Sequence, residues 1–193
     1  MRRAATYQGM TRVLKAKSLH TTRTVVLARS LVGKVLVRRH TGGAVTRHRI
    51  TEVEAYDGEK DLACHASKGR TKRTEVMYRP GGVWYVYLCY GIHEMLNLVT
   101  GPVDYPAAIL IRGVEGIAGP GRLTKRLDIG RQLNGAAAAR ASGLWLEDDS
   151  FKLPRGALMV SARIGVDHAG PVWARKPWRF YFKAAPLAAA VDL

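Results

Sequence analysis

Carboxylates are concentrated in one short stretch of a chain that is otherwise strongly basic. Lys and Arg number 31 against 15 Asp and Glu, a net charge of +16, yet five acidic residues lie within ten positions: Glu52, Glu54, Asp57, Glu59 and Asp61. A carboxylate beside a bound polyanion repels it. An acidic cluster on such a protein is therefore expected where it activates water, holds a metal or pairs with arginine. A solvated acidic loop is the alternative, and the composition alone leaves both open.

Aromatic residues are concentrated in a second stretch. Four of the fifteen aromatic side chains lie close together: Trp84, Tyr85, Tyr87 and Tyr90. Core packing explains Trp84 and one of Tyr85 and Tyr87, because side chains alternate across a strand. Tyr90 precedes a glycine, and a ring beside a turn points outward, as suits a wedge between stacked bases. Tyr56 and Tyr87 are candidates to sandwich a base extruded from the stack.

Other chemistry-bearing residues give weaker signals. His65 follows Cys64, but two such residues are too few for a zinc site, so a hydrogen-bonding loop histidine is expected. His168 lies in a Gly/Pro turn and is predicted to be structural. We find no phosphate-binding loop, CxxC pair or nucleophile elbow and expect no metal and no cofactor. Two cation pairs are predicted phosphate contacts: Lys125 with Arg126, and Arg175 with Lys176.

A long strand and a hairpin must position these groups. Residues 44–56 predict a strand, and one of its faces would carry Ile50, Glu52, Glu54 and Tyr56. Residues 83–90 and 95–100 predict a β-hairpin whose tip lies near Tyr90 and His93.

Shorter elements account for much of the remaining chain. Strands are predicted over residues 34–39, 107–113 and 144–146, with two strand-like runs between residues 157 and 182. A helix over residues 21–31 ends before Gly33, and another begins at Gly119 with Leu123 and Leu127 on one face. The four alanines 136–139 locally favour helix.

Length and composition limit the class of protein. A chain of 193 residues, 47% of them hydrophobic, fits one domain with a real core, here residues 21–193 after a loosely held basic arm over residues 1–20. No apolar stretch is long enough for a signal peptide or a membrane span, and two distant cysteines make no disulfide framework. We therefore expect a cytoplasmic monomer, nucleoid-associated if prokaryotic, that binds nucleic acid rather than a membrane.

The segments around the candidate residues resemble the alkyladenine (3-methyladenine) DNA glycosylase family. The resemblance rests first on Thr51-Glu52-Val53-Glu54-Ala55-Tyr56, Ala63-Cys64-His65, Tyr85-Val86-Tyr87-Leu88-Cys89-Tyr90-Gly91 and Asn97. It extends to Arg112 at a strand end, to Gly119-Pro120-Gly121-Arg122-Leu123, and to residues 162–166 and 173–177. These motifs occur in one order over roughly residues 25–192, which argues against chance agreement.

The resemblance implies both a fold and a reaction. The fold is α+β, a single compact domain with a curved antiparallel sheet, surrounding helices and a protruding β-hairpin that enters the DNA minor groove. The reaction flips a damaged purine, alkylated or deaminated, out of double-stranded DNA and hydrolyses its N-glycosidic bond to leave an abasic site.

The resemblance also assigns roles to residues. Glu54 would be the general base for water, and Arg112 would help to hold that water. Tyr56, His65 and Tyr87 would form the walls of the base pocket. Asn97 would crowd the exocyclic amine of guanine, and Tyr90 would be the intercalating wedge.

Departures from the family and two competing functions stay open. Trp84 resembles a one-residue insertion, residues 68–78 are short, residues 101–106 are lengthened, and residues 135–150 agree poorly. These departures leave the candidate catalytic positions in place and bear on the lesion range and on some phosphate contacts. The competing functions are a metal-dependent nuclease built on Glu52, Glu54, Asp57 and Asp61, and a non-enzymatic basic RNA-binding module. Carboxylates that converge on one point would favour the nuclease, whereas a single buried acid would favour the glycosylase.

Overall fold

The computed structural model describes residues 11–183. The strands of this part are β1 (Arg12–Val13), β2 (Val35–Arg39), β3 (Val45–Asp57), β4 (Trp84–Cys89), β5 (His93–Val99), β6 (Ala107–Val114), β7 (Ile117–Ala118), β8 (Leu144–Asp148), β9 (Met159–Ser161) and β10 (Arg179–Tyr181). The α-helices are α1 (Ala16–Leu19), α2 (Thr24–Leu31), α3 (Pro120–Arg126) and α4 (Gly170–Ala174). Short 3₁₀ turns occupy His65–Lys68, Glu75–Tyr78, Arg131–Leu133, Arg140–Ser142 and Asp167–Ala169.

The strands form one antiparallel sheet with β3 at its centre. Seven strands follow in the order β1-β8-β2-β3-β6-β5-β4, while β10 pairs with β3 and β9, and β7 pairs with β6. The paired strands run antiparallel throughout this arrangement. The single-domain α+β class expected from the resemblance is therefore confirmed.

An irregularity in β3 corrects the predicted face of Ile50. The ladder with β6 shifts register on both sides of Glu52, where Ile50 faces Val114 and Glu52 faces Gly113. Such a bulge changes which face the following side chains take. Ile50 accordingly packs in the main core with Val53 and Ala55, so its predicted place beside Glu54 is wrong. Glu54 and Tyr56 lie beyond the bulge and do share a side.

The predicted hairpin is confirmed. β4 and β5 pair from Trp84 opposite Leu98 to Cys89 opposite His93, which leaves Tyr90 to Ile92 at the turn. Tyr90 and Gly91 have φ angles of 50° and 71°, so the tip turns through the left-handed region. Trp84 is fully buried at the other end, where its indole N–H donates to the Leu144 carbonyl at 3.0 Å.

The two predicted helices are confirmed, and both pack on the sheet. In α2 the buried residues Thr24, Ala28 and Leu31 recur with helical spacing, and the chain turns at Gly33 with φ of 90°. In α3 the buried Leu123 is followed by the buried Leu127 at the helix end. These apolar contacts fix α3 against β5, close to the hairpin.

The run of four alanines is extended rather than helical, which corrects the prediction for residues 136–139. Ala137 bridges to Val83, the Trp84 N–H donates to the Ala136 carbonyl, and the Ala138 N–H donates to Gly82. These bonds satisfy the otherwise open edge of β4. Sheet pairing outweighs helix propensity here, because propensity differences amount to only about 1 kcal/mol per residue or less.

The predicted N-terminal arm is described only in part, since residues 1–10 lie outside the described residues. Residues 11–20 contact the domain: β1 pairs with β8, with Arg12 opposite Asp148, and Leu19 is buried in the main core. Strand pairing and an apolar anchor hold this segment. The structure therefore places it on the domain and not in a loose arm.

Candidate active site

One cavity of about 480 Å³ opens between the sheet and the loops that follow β3 and β9. Six of the residues predicted for the site line it: Tyr56, His65, Tyr87, Tyr90, Asn97 and Arg112. Glu54 lies directly behind the cavity wall, bonded to lining residues. The structure thus gathers the candidate residues from β3, β4, β5, β6 and two loops.

Glu54 is a fully buried carboxylate surrounded by donors. The Tyr56 hydroxyl donates to Oε2 at 2.8 Å, and the backbone N–H of Ile164 donates to Oε1 at 2.8 Å. The Arg112 guanidinium lies 3.4 Å from each carboxylate oxygen. Burial raises the pKa of Glu54, and Arg112, the Ile164 N–H and the Tyr56 hydroxyl oppose that rise. A carboxylate that is desolvated yet held as an acceptor fits a general base.

Of the other acidic residues in the cluster, Glu52 shares Arg112 with Glu54, whereas Asp57 and Asp61 have side-chain partners of their own. Glu52 accepts from Arg112 Nε at 3.0 Å and from Arg179 Nε at 2.6 Å. Asp61 forms a buried ion pair with Arg163, and Asp57 accepts from the Tyr105 hydroxyl. In the described part of the chain, no group of three His, Cys, Asp or Glu side chains is arranged to hold a metal. The carboxylates therefore do not converge as the nuclease alternative requires.

Aromatic rings form one wall of the cavity. The Tyr85 and Tyr87 ring centroids lie 5.2 Å apart, and His65 meets Tyr87 edge-on at 4.6 Å. Tyr85 is part of this wall, although the sequence analysis considered it only as a core residue. Strand alternation could have indicated this position, because it places Tyr85 and Tyr87 on the face opposite the buried Trp84.

His65 is a neutral donor within this wall. The Arg73 guanidinium, which only donates, lies 3.4 Å from Nε2, so the ring proton belongs on Nδ1, 3.1 Å from the Tyr85 hydroxyl. Burial, followed by the charges of Arg73, His168 and Lys68, lowers the pKa of His65 to about 4. Burial raises the pKa of Tyr85 to about 12. The wall is thus uncharged at neutral pH.

Three further contributors to the site were not predicted. Arg73 lies at the cavity with its guanidinium 4.8 Å above the Tyr87 ring. His168, predicted as a structural turn residue, also lines the cavity. Ile164 contributes its backbone N–H to Glu54, a role that carries no side-chain signature and that motif reasoning therefore misses.

Asn97 is held rigidly at the cavity. It lies opposite Tyr85 in the hairpin, and its amide nitrogen donates to the carbonyls of Tyr85 and Met95, both at 3.2 Å. The side chain is buried, with 4% exposure. Its orientation is therefore fixed by the hairpin backbone.

Tyr90 projects from the tip of the hairpin at the edge of the cavity. It is 92% exposed, and its neighbour Ile92 is 74% exposed. An exposed aromatic ring in the left-handed region has no packing function in the free protein. Its position at the cavity mouth suits contact with a ligand.

Comparison with known proteins settles the family. The sequence profile of methylpurine-DNA glycosylase matches residues 18–118 and 115–186, well over half of the chain. The chain belongs to the methylpurine-DNA glycosylase family. This glycosylase is 46% identical over 176 residues to a protein of Psychrobacter cryohalolentis, with 76% of this chain and 82% of that protein covered. It is 45% identical over 183 residues to a protein of Methanocella arvoryzae, with 84% and 89% covered. Both relatives are provisionally named 3-methyladenine DNA glycosylases.

Membership confirms the resemblance found in the sequence. The protein is a DNA repair glycosylase, a hydrolase of N-glycosyl bonds, and the nuclease and RNA-binding alternatives receive no support. Among the described residues of the glycosylase, no helix is both long and apolar enough to cross a bilayer.

Proposed function

We propose that this glycosylase flips an alkylated or deaminated purine out of duplex DNA and hydrolyses its N-glycosidic bond with Glu54 as general base. The observation that carries the proposal is the Glu54 carboxylate, buried against donors from Tyr56, Arg112 and Ile164 behind an aromatic cavity. Active-site carboxylates whose pKa is raised by burial are suited to proton transfer near neutral pH.

The proposed step needs one base and one water. Water adds to C1′ of the sugar as the bond from C1′ to the purine nitrogen breaks, and the electron pair of that bond leaves with the base. Glu54 accepts the proton of the water, and Arg112 helps to hold that water. An alkylated, positively charged purine departs as a neutral molecule, so one carboxylate is sufficient. A deaminated purine is neutral before cleavage, so it departs as an anion and takes up a proton from solvent, in balance with the proton that Glu54 accepts and returns to solvent. The Glu54 anion also stabilises positive charge that develops on the sugar.

The cavity wall suits a flat, electron-poor base. Tyr56, His65 and Tyr87 offer ring faces and edges, and the pKa of each tyrosine is raised by burial, so that the hydroxyls stay neutral. Asn97, fixed by two carbonyls, would crowd the exocyclic amine of an undamaged guanine. Discrimination would then come from a rigid group in a preformed pocket.

The hairpin tip suits the opened duplex. A flipped nucleotide leaves a gap in the stack, and the exposed Tyr90 ring beside the cavity would fill it. The net charge of +16 supplies phosphate affinity, with the pairs Lys125–Arg126 and Arg175–Lys176 as proposed contacts. The assembly proposed is one protein monomer on one damaged duplex.

Base release from defined lesions tests the proposal. Duplexes that each carry one hypoxanthine, 3-methyladenine, 7-methylguanine or ethenoadenine are incubated with excess protein in chelator, then treated with alkali to cut abasic sites. We expect cleavage at one or more lesions by the unaltered protein, and none with Glu54→Gln or on the undamaged duplex. Absence of cleavage at every lesion by folded protein, or equal cleavage by Glu54→Gln, would overturn the proposal.

A further inference from the structure

A fully buried ion pair lies next to the site but does not line the cavity. Arg163 donates to both oxygens of Asp61, from Nη1 to Oδ2 at 2.5 Å and from Nη2 to Oδ1 at 2.8 Å. Both side chains have 0% exposure. Burying two charges requires good geometry and further hydrogen bonds, so a pair in this position needs an explanation beyond general stability.

The further hydrogen bonds tie together three segments that surround the cavity. Arg163 Nη1 also donates to the carbonyl of Ala55, the residue between Glu54 and Tyr56, at 2.8 Å. Nη2 donates to the Trp173 carbonyl at the end of the chain segment that carries His168. Asp61 in turn accepts the N–H of Ala63, which lines the cavity. One side-chain pair thus joins β3, the loop before His65 and the segment after β9.

Two consequences reach the reacting groups. Ile164 follows Arg163 directly, so the anchored guanidinium fixes the backbone N–H that donates to Glu54 Oε1. The same guanidinium lies 4.8 Å above the Tyr56 ring and 5.1 Å above Trp178, and it supports the ring of the residue that donates to Oε2. Both 2.8 Å hydrogen bonds to the carboxylate therefore come from residues that adjoin Arg163, one in sequence and one by ring contact.

We propose that Arg163, held by Asp61, is a positioning residue that sets the Ile164 N–H and the Tyr56 hydroxyl on the Glu54 carboxylate. The pair acts through these groups and touches neither the base nor the water. The inference rests on the proposed role of Glu54 as general base.

Other charges around Glu54 determine what a disturbance of this geometry does. Arg112 on β6 faces both oxygens of the Glu54 carboxylate. Glu52 lies on β3, the strand that carries Glu54, and Arg179 of β10 lies opposite Glu54 in register. Tyr56 and Tyr87 are the hydroxyl groups nearby. Loss of the Ile164 N–H and Tyr56 contacts leaves Arg112 as the opposing group to burial, so the pKa of Glu54 rises further.

Two variants separate positioning from stability. Arg163→Lys keeps the charge, but its single nitrogen has three N–H donors and cannot reproduce the four hydrogen bonds that the two terminal guanidinium nitrogens make to both oxygens of Asp61 and to the carbonyls of Ala55 and Trp173. Arg163→Met combined with Asp61→Asn removes both charges, so no unpaired buried charge remains. Arg49→Lys is the matched control, because Arg49 and Asp149 form a second two-pronged pair whose residues do not line the cavity.

Single-turnover base release with excess protein is the measurement. Its rate constant at saturating protein reports the geometry of the site. A separate active-site titration, with damaged duplex in excess of protein, reports the folded, active fraction. We expect the rate constant of both Arg163 variants to fall about 10- to 100-fold, the effect of a displacement on the order of 1 Å in a catalytic group. The acid limb of the rate–pH profile should move to higher pH, while Arg49→Lys changes neither quantity.

The outcomes are distinguishable. Unchanged rate constants and an unchanged acid limb in both variants, even with a reduced active fraction, would overturn the positioning role and leave a merely structural pair. If the unaltered protein releases no base from any duplex, the proposed function itself fails, whatever the variants show.

Discussion

The hydroxyl of Tyr56 donates to Oε2 of Glu54 at 2.8 Å, two residues away on the same strand. Residues at positions i and i+2 of a strand share a face, so β3 delivers a carboxylate and its donor together without help from any other element. Arg112 reaches the same carboxylate from the neighbouring strand β6. The proposed acid–base centre is therefore built mainly on the two central strands of the sheet, which pack on the main core.

Glu54→Gln should abolish base release and leave binding to damaged duplex nearly intact. The amide has nearly the same shape but cannot accept the proton of the water, and general bases contribute about 10²- to 10⁴-fold to rate. Glu52→Gln is the control, because Glu52 pairs with Arg112 and Arg179 and should matter much less. Single-turnover excision and a binding titration check this. Retained excision by Glu54→Gln would contradict the assignment.

Much of this site could be predicted from the sequence, because strand alternation and glycine turns are local signals. The face shared by Glu54 and Tyr56 and the exposed tip at Tyr90 followed from spacing alone. The position of Ile50 did not, because a bulge changes strand parity without a reliable residue signature.

Features that depend on distant pairing could not be predicted. The alanines at 136–139 prefer helix locally, yet they pair with the edge of β4. Arg163 and Asp61 are separated by 102 positions, so no spacing rule brings them together. The Ile164 N–H belongs to the backbone, which sequence motifs do not mark.

Tyr90→Ala should weaken binding to damaged duplex and slow excision. Stacking of an aromatic ring on a base is worth about 1–3 kcal/mol, so the affinity should fall roughly 5- to 150-fold. Single-stranded substrate has no gap to fill and should suffer less. Ile92→Ala, at the same exposed tip, is the comparison variant and should have a smaller effect. Equal losses for Tyr90→Ala on both substrates would contradict the role of this ring as a wedge in the duplex.

Asn97→Ser should relax discrimination against normal guanine, since the shorter side chain gives the exocyclic amine more room. The variant also loses the amide donations to Tyr85 and Met95, so its free energy of unfolding should drop by about 1–3 kcal/mol. Excision from undamaged and lesion duplexes, together with a thermal melt, measures both effects. A folded variant with unchanged guanine selectivity would count against steric exclusion.

Tyr56→Phe should move the acid limb of the rate–pH profile to higher pH. The hydroxyl bond opposes the rise in the pKa of Glu54 caused by burial, so its removal raises that pKa further and the base is protonated at a higher pH. Tyr105→Phe is the matched control, because it removes a hydroxyl–carboxylate bond to Asp57 outside the cavity lining. An acid limb that stays in place in Tyr56→Phe, or that moves equally in Tyr105→Phe, would show that this bond does not tune Glu54.

Base release should proceed in EDTA and should leave no covalent intermediate between protein and DNA. A lyase mechanism needs a lysine amine of lowered pKa beside the flipped sugar, where it would displace the base and form a Schiff base. The lysines nearest in sequence to the pocket residue His65 are Lys60, Lys68 and Lys72. The described residues that line the cavity include arginines and no lysine. Water activated by Glu54 is therefore the expected nucleophile, and abasic DNA is the expected product.

Borohydride added during turnover reduces any Schiff base to a stable adduct, which a denaturing gel resolves from free protein. A trapped adduct would replace the water mechanism with an amine one, whereas activity lost in EDTA and restored by a divalent cation would revive the nuclease alternative.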